Sequence, residues 1–262
     1  MKKTVLFLLI LVAAAFSDIA SGQGVLIHSH NDYRREVPFY QAYEQKVSSI
    51  EADIFATEKK GELLVAHYRF ELSVASSLDE LYIEPLVKLY KSNNGKAWKD
   101  SEQILTLLID LKTPVNPTLG LLIEKLERYP EVFDPEVNPF AVRVVISGNR
   151  PDANDFHKYP SIISFDGDRI DYTSEQLKRI SMISLDVRQY SDWDGKGSMA
   201  DDEYSKISNI IKVVHSLGKP IRFWATPDGV AAWTVFHGLG VDYINTDNPE
   251  ACAAFFRGVE SR

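Results

Sequence analysis

The 262-residue sequence is short of several things, and each shortage excludes a class of protein. It has one cysteine, Cys252, so an internal disulfide and a thiolate metal cluster are both ruled out. Cys252 reads as a small apolar residue of the last helix. It has no basic excess: 29 Lys and Arg face 37 Asp and Glu, a formal charge of -8, with no run of cations. Broad electrostatic binding to nucleic acid or an anionic membrane needs a basic face and is not expected. There is no Gly-x-Gly-x-x-Gly or Walker loop, no low-complexity stretch and no linker to split the chain. There is also no apolar run long enough to span a bilayer, which takes about 18 residues. The longest, Val5 to Phe16, ends at Ser17-Asp18. With Lys2 and Lys3 before it and Ala15-Phe16-Ser17 or Ala20-Ser21-Gly22 as cleavage sites, it reads as a secretory leader over residues 1–22. Removing its net charge of +1 leaves -9 on a single domain, 23–262, that is secreted or periplasmic. No cysteine near the cleavage region supports a lipid anchor.

What is present is an alternation of apolar strands and helical stretches. Strands centre near residues 27, 51, 109, 144, 163, 185, 223 and 243, and each is followed by a helix or helical turn. Between the second and third, Leu63 to His67 forms a hairpin arm. The clearest helix is Asp201 to Leu217, with Ile207, Ile210, Ile211 and Val214 on one face and Gly218 as its stop. Pro38 opens a helical stretch to about Lys46, and Asp228 and Asn248 are expected to cap the last two helices. About eight βα units in some 240 residues predict an α/β fold, a TIM (β/α)8 barrel, with an open doubly wound sheet as the alternative.

The second strand, Ser48 to Phe55, carries two carboxylates in an apolar run. Strand side chains alternate, so Glu51 and Asp53 share one face. Side chains two apart lie about 7 Å from each other, close enough to reach one cation. A metal site is the sharp reading and a solvated acidic edge strand the bland one. Other polar residues fall where strands end: His28 and His30, His67, Asp110 with Lys112, Asp166 with Asp168, Asp186 with Arg188, Trp224 and Asp247. In a barrel that end is the reactive face, which makes an enzyme the expectation. Each group also has a structural role open to it. A histidine can be a core residue, Asp110 with Lys112 or Asp186 with Arg188 an ion pair, Asp166 with Asp168 turn residues, Asp247 a helix cap, and Trp224 a packing residue.

Taken in order, His28-Ser-His30-Asn31-Asp-Tyr, Glu51-x-Asp53, Leu-Leu-Val-Ala-His67, Leu-Ile-Asp110-Leu-Lys112-Thr, Phe-Trp224 and Gly240-Val-Asp-Tyr-Ile-Asn-Thr-Asp247-Asn-Pro resemble the motifs of the phospholipase C-like phosphodiesterase superfamily. Within it the glycerophosphodiester phosphodiesterase branch is most similar, over residues 25–252. The resemblance implies a Ca²⁺ or Mg²⁺ ion on Glu51, Asp53 and Asp110 and acid/base catalysis by His30 and His67 on a phosphodiester. Three oxygen donors suit such hard cations better than zinc. His28 remains an alternative for the first catalytic histidine. Lys112, Asn31 and Trp224 fall on the substrate side. The chain departs from the branch at three positions. Asn31 follows His30 where Arg is usual, Asp110 replaces Glu as in sphingomyelinase D-type relatives, and Tyr68 follows His67 where Asp is common. The expected function is a secreted, metal-dependent phosphoric diester hydrolase acting on a glycerophosphodiester or phospholipid-type substrate. The competing readings are an amidohydrolase-type metal hydrolase and a non-catalytic barrel binding a phosphorylated lipid or glycan.

Overall fold

A computed structural model describes residues 25–57 and 61–260; the expected leader, residues 1–22, lies outside them. The nine strands are β1 (Leu26–Ser29), β2 (Ser49–Ala56), β3 (Leu63–Val65), β4 (Thr106–Leu111), β5 (Arg143–Gly148), β6 (Ile163–Gly167), β7 (Ile180–Asp186), β8 (Ile221–Trp224) and β9 (Tyr243–Thr246). Their order is β1-β9-β8-β7-β6-β5-β4-β2-β3, and β1 also pairs with β2. That last pairing closes eight parallel strands into a barrel and leaves β3 as an antiparallel arm on β2. The fold is the expected TIM barrel, and an open sheet is excluded by the β1–β2 closure.

Among the described residues the helices are α1 (Tyr40–Glu44), α2 (Glu84–Ser92), α3 (Val115–Leu126), α4 (Pro130–Phe133), α5 (Ser174–Leu177), α6 (Asp201–Ser216) and α7 (Val230–Leu239), which lie between strands, and α8 (Pro249–Glu260), which follows β9. The apolar stripe of α6, Ile207, Ile210, Ile211 and Val214, is buried as its spacing requires. No helix among the described residues is long and apolar enough to cross a membrane. Two of the connections are short: the stretch after Pro151 winds as a 3-10 turn, Ala153–Lys158, and α5 is a single turn. One expected cap changes. Asp228 does not cap α7. Gly229 holds that position, and Asp228 instead accepts from Trp233 Nε1 at 2.8 Å and the Asp247 N–H at 2.7 Å.

Side-chain alternation gives the barrel two cores. Residues such as Ile50, Ala52, Ile54, Ile109, Val144 and Ile146 face the helices in one large cluster. A small separate cluster of Leu108, Val145, Met182 and Tyr243, with Leu26 against it, fills the lower part of the interior. Directly above it the inward positions turn polar, and there the site begins.

Candidate active site

The register places Asp53 beside Asp110 and Glu51 beside Leu108, so all three expected carboxylates stand on neighbouring strands. A cavity of about 360 Å³ at the carboxyl end of the barrel is lined by Glu51, Asp110 and Lys112 together with His30, His67 and Trp224. Lys112 Nζ lies between two of the acids, 2.9 Å from Asp53 Oδ2 and 3.2 Å from Asp110 Oδ1. Burial disfavours its charge, but Asp110 and Asp53 outweigh that and raise its pKa.

Each cavity histidine is held by a carboxylate through one nitrogen. His67 Nδ1 is 2.7 Å from Asp53 Oδ2, and His30 Nδ1 is 2.8 Å from Asp247 Oδ1. Both side chains remain partly accessible, 30% and 28% exposed, and His30 Nε2 faces Asn31 Nδ2 at 3.3 Å and Glu51 Oε1 at 3.9 Å. Burial alone would lower the His30 pKa; the hydrogen bond to Asp247 and the nearby Glu51 charge overcome it and raise it. Asp247, whose plainest reading in the sequence is a helix cap, is thus the partner of His30. Its own pKa is lowered by the same hydrogen bond.

His28 sits elsewhere. It is fully buried beneath the cavity, with Nδ1 2.8 Å from Ser49 Oγ and Nε2 2.8 Å from Glu51 Oε2. Burial, reinforced by the Arg222 charge, pushes its pKa down to about 3, which keeps the ring neutral. Its place is that of a support for Glu51. Asn31 also supports rather than lines the cavity. In a left-handed conformation (φ 47°), it lies against the His30 ring and is 2.8 Å from the Tyr33 hydroxyl. The same hydroxyl is 2.8 Å from Asp53 Oδ2. Buried Asp32 pins the loop by accepting from the Phe39 N–H at 2.6 Å, Tyr82 at 3.0 Å and Ser29 at 3.0 Å. The Asn-Asp-Tyr segment is therefore a scaffold for His30.

The residue the sequence reading passed over is Arg222. Inside the barrel, its Nη1 is 3.0 Å from Glu51 Oε2 and 3.1 Å from Asn245 Oδ1, and its Nε donates to Ser184 Oγ at 3.0 Å. Nη2 lies 3.8 Å from Asp166 Oδ2. Alternation in Ile221-Arg222-Phe223-Trp224 puts Arg222 on the same face as Trp224, a signal available in the sequence. Asp166 is a barrel-interior acid, not a turn residue; burial pushes its pKa up to about 6. Asp168 does hold a turn, through Tyr172 at 2.7 Å, and pairs with Arg150 at 2.6 Å. Asp186 pairs with Arg188, as expected, at 2.7 Å. Trp224 lines the cavity with Arg188 stacked over its ring at 5.2 Å. The ends of β5, β6 and β7 supply Ser147, Asp166 and Ser184 to the cavity and no histidine, which an amidohydrolase-type centre would need there.

The carboxylates are the oxygen donors a hard divalent cation takes, but among the described residues no group of three or more acids, histidines or cysteines is arranged to hold a metal ion, and Lys112 Nζ stands between Asp53 and Asp110. Glu51, Asp53, Asp110 and Asp166 are met by Lys112 and Arg222, and Arg150, which also lines the cavity, acts on Asp166 from further off. Buried Asp53 Oδ1 has no hydrogen-bond partner among the described residues. Burial, together with the like charges of Asp53 and Glu51, raises the pKa of Asp110, and a cation between these acids would relieve that repulsion.

Gly148 keeps Asp110 in place. It has φ +68°, and a Cβ there would fall on Asp110 Oδ1 and lie 2.7 Å from the Leu111 carbonyl oxygen. Gly148→Ala is expected to displace Asp110 and lower kcat/KM by about 100-fold, while the positive φ costs about 1–2 kcal/mol. Assay and thermal melt on one preparation check both; an active G148A enzyme would remove Asp110 from the site.

The sequence matches the AIM6-like phosphodiesterase domain over residues 17–153, more than half of the chain. The chain belongs to this family. Residues 220–250 also match the glycerophosphoryl diester phosphodiesterase family, over the segment carrying Arg222 and Asp247. Among its relatives is altered inheritance of mitochondria protein 6 of Eremothecium gossypii, 28% identical over 274 residues, 87% of this chain and 69% of the relative. The Arthroderma benhamiae homolog of that protein is 26% identical over 267 residues, 88% of this chain and 83% of the relative. Two Agrobacterium tumefaciens structures share the fold. A putative glycerophosphoryl diester phosphodiesterase superposes with TM-score 0.55 at 13% identity, over 92% of this chain and all of that one. A glycerophosphodiester phosphodiesterase does so with TM-score 0.52 at 14% identity, over 90% of this chain and all of that one. For this AIM6-like phosphodiesterase domain the likeness establishes the barrel, and the site's chemistry rests on its own residues.

Proposed function

We infer that this AIM6-like domain is a metal-dependent phosphoric diester hydrolase using His30 and His67 as its acid/base pair on a glycerophosphodiester or phospholipid-type substrate. One observation carries the reading: two accessible histidines, each held through Nδ1 by a carboxylate, flank one acidic cluster and one lysine in a single cavity. Holding Nδ1 orients the ring and favours proton exchange at Nε2. One histidine takes the proton of the attacking hydroxyl or water as its oxygen bonds to phosphorus. The other protonates the alkoxide as the scissile P–O bond breaks. Lys112 stands beside the acids to meet the negative phosphoryl oxygens. Glu51, Asp53 and Asp110 would hold Ca²⁺ or Mg²⁺, which when bound supplies further positive charge to those oxygens. The -8 chain can take an anionic ester because local charge decides. Its Lys2-Lys3 leader supports a secreted or periplasmic location.

The test is a panel of glycerophosphodiesters, phosphatidylinositol and lysophospholipids, assayed with Ca²⁺, with Mg²⁺ and with chelator. Turnover of one class, lost with chelator and restored by either cation, is expected. No turnover of any member would favour a binding barrel. Asp247→Asn adds a finer readout. Removing that charge lowers the His30 pKa, so the pH-rate limb belonging to His30 moves to lower pH. It is the acidic limb if His30 is the base and the basic limb if it is the acid; two unmoved limbs would take His30 out of catalysis.

A further inference from the structure

The opposite end of the barrel contains a second cavity of about 640 Å³, larger than the catalytic one. Its walls come from the amino ends of strands, where Arg143 opens β5 and Lys219 precedes β8. The titratable groups facing it are Arg143, Lys219, His215, Asp242 and Glu102, with Tyr243 at the floor of the barrel interior. Both carboxylates are engaged. Asp242 Oδ2 meets His215 Nε2 at 2.8 Å and accepts from the Ile221 N–H at 2.8 Å. Glu102 is turned outward, 80% exposed, and reaches Lys96 at 3.5 Å.

The cations differ. The Arg143 side chain makes no hydrogen bond or ion pair among the described residues, and Lys219 Nζ donates only to the Ile180 carbonyl oxygen, at 2.6 Å. The two are near enough that Arg143, adding to the burial of Lys219, lowers the lysine pKa. Both cations line a roomy cavity, and neither is bound to a carboxylate among the described residues. A guanidinium fork and an ammonium together suit a tetrahedral oxyanion. Leu26, Ile104 and Pro220 add apolar wall for an organic portion, and the volume is that of a small-ligand site.

We propose that the barrel floor is a second ligand site, which binds a phosphate-class oxyanion between Arg143 and Lys219. It is independent of the catalytic cavity and does not rest on the proposed hydrolase activity.

The experiment titrates inorganic phosphate, and separately glycerol phosphate, into the chelator-treated protein at constant ionic strength, followed by calorimetry and thermal melt. A rise in Tm of about 3 °C or more is expected near saturation. It should vanish in Arg143→Gln, with binding at least tenfold weaker, and persist in Arg150→Gln, which alters only the catalytic cavity. Lys219→Gln gives the same readout from an independent residue. Equal responses to the two ligands support a free oxyanion as occupant, and a stronger response to the ester supports use of the apolar wall. No rise with either ligand, a rise surviving in both R143Q and K219Q, or a rise lost only in R150Q would each overturn the proposal, the last by placing the anion in the catalytic cavity.

Discussion

His67→Ala is expected to slow turnover of the responsive phosphodiester by about 10²- to 10⁴-fold, and His30→Ala by a similar factor. The double variant should fall well short of the product of the two losses, because an acid and a base that serve one displacement act as a unit. Stability should change little, since both side chains are partly exposed and Asp53 keeps Lys112 at 2.9 Å and Tyr33 at 2.8 Å after His67 is removed. His28→Ala separates the two candidates for the first histidine. It empties a fully buried position beside Glu51 and so should lower Tm, whereas a ring whose pKa is pushed down to about 3 is poorly matched to proton transfer near neutrality. The pH-rate profile decides between them: if H28A moved a neutral-range limb while H30A left both in place, the catalytic assignment would pass to His28.

Arg222→Met is expected to destabilise the protein by about 3–5 kcal/mol, the usual result of removing one partner from a buried charge network. For a chain of this size that is a fall in Tm of roughly 10 °C. The guanidinium joins β8 to β2 through Glu51, to β7 through Ser184 and to β9 through Asn245, and it lies beside Asp166 of β6. Burial raises the Glu51 pKa, but the hydrogen bond from His28 and the Arg222 charge outweigh it and hold that carboxyl well below the usual range. Without Arg222, Glu51 stays buried with no permanent cation on it and Asp166 keeps only the more distant Arg150, so one must take up a proton or draw in water. Arg222→Lys should recover little, because a single ammonium cannot reach Ser184, Glu51 and Asn245 together. A melt of R222M within a degree or two of the parent would show that the barrel interior does not depend on this residue. Activity should fall as well, since Glu51 would lose one of the groups that orient it.

Much of the architecture was legible in the chain. Eight strand centres, each followed by helical sequence, specify a barrel because a parallel strand needs a crossover back to the same edge and this length accommodates eight. Glu51, Asp53 and Asp110 were legible for a related reason. A carboxylate in a buried strand must face either water or a cation, so its appearance in an apolar run marks the inward face near the mouth. His28, His30 and His67 were legible as strand-end histidines, and the pairing of His30 with His67 came from the family resemblance. The cap expected at Asp228 was missed because its carboxylate is drawn instead to Trp233, five residues on, and to the Asp247 N–H, nineteen residues on.

Other features were not legible, and the reason is long-range pairing. Asp247 stands 217 residues from His30, and the local pattern Asp-Asn-Pro reads equally well as a helix start. The difference between His28 and His30 is two residues of depth along one strand face, which burial decides and sequence pattern does not. Arg222 looked like one charge in a short apolar strand until closure of the barrel brought five other strands around it. By itself the sequence determined the fold class, the inward placement of the acids and the reactive end of the barrel, because strand periodicity and βα spacing are local quantities. Only the tertiary structure decided which histidine is backed by which carboxylate, which acids are neutralised by Arg222 and Lys112, and that Arg143 and Lys219 line one cavity. Those are electrostatic relations among side chains that share a cavity only after the ring of strands has closed.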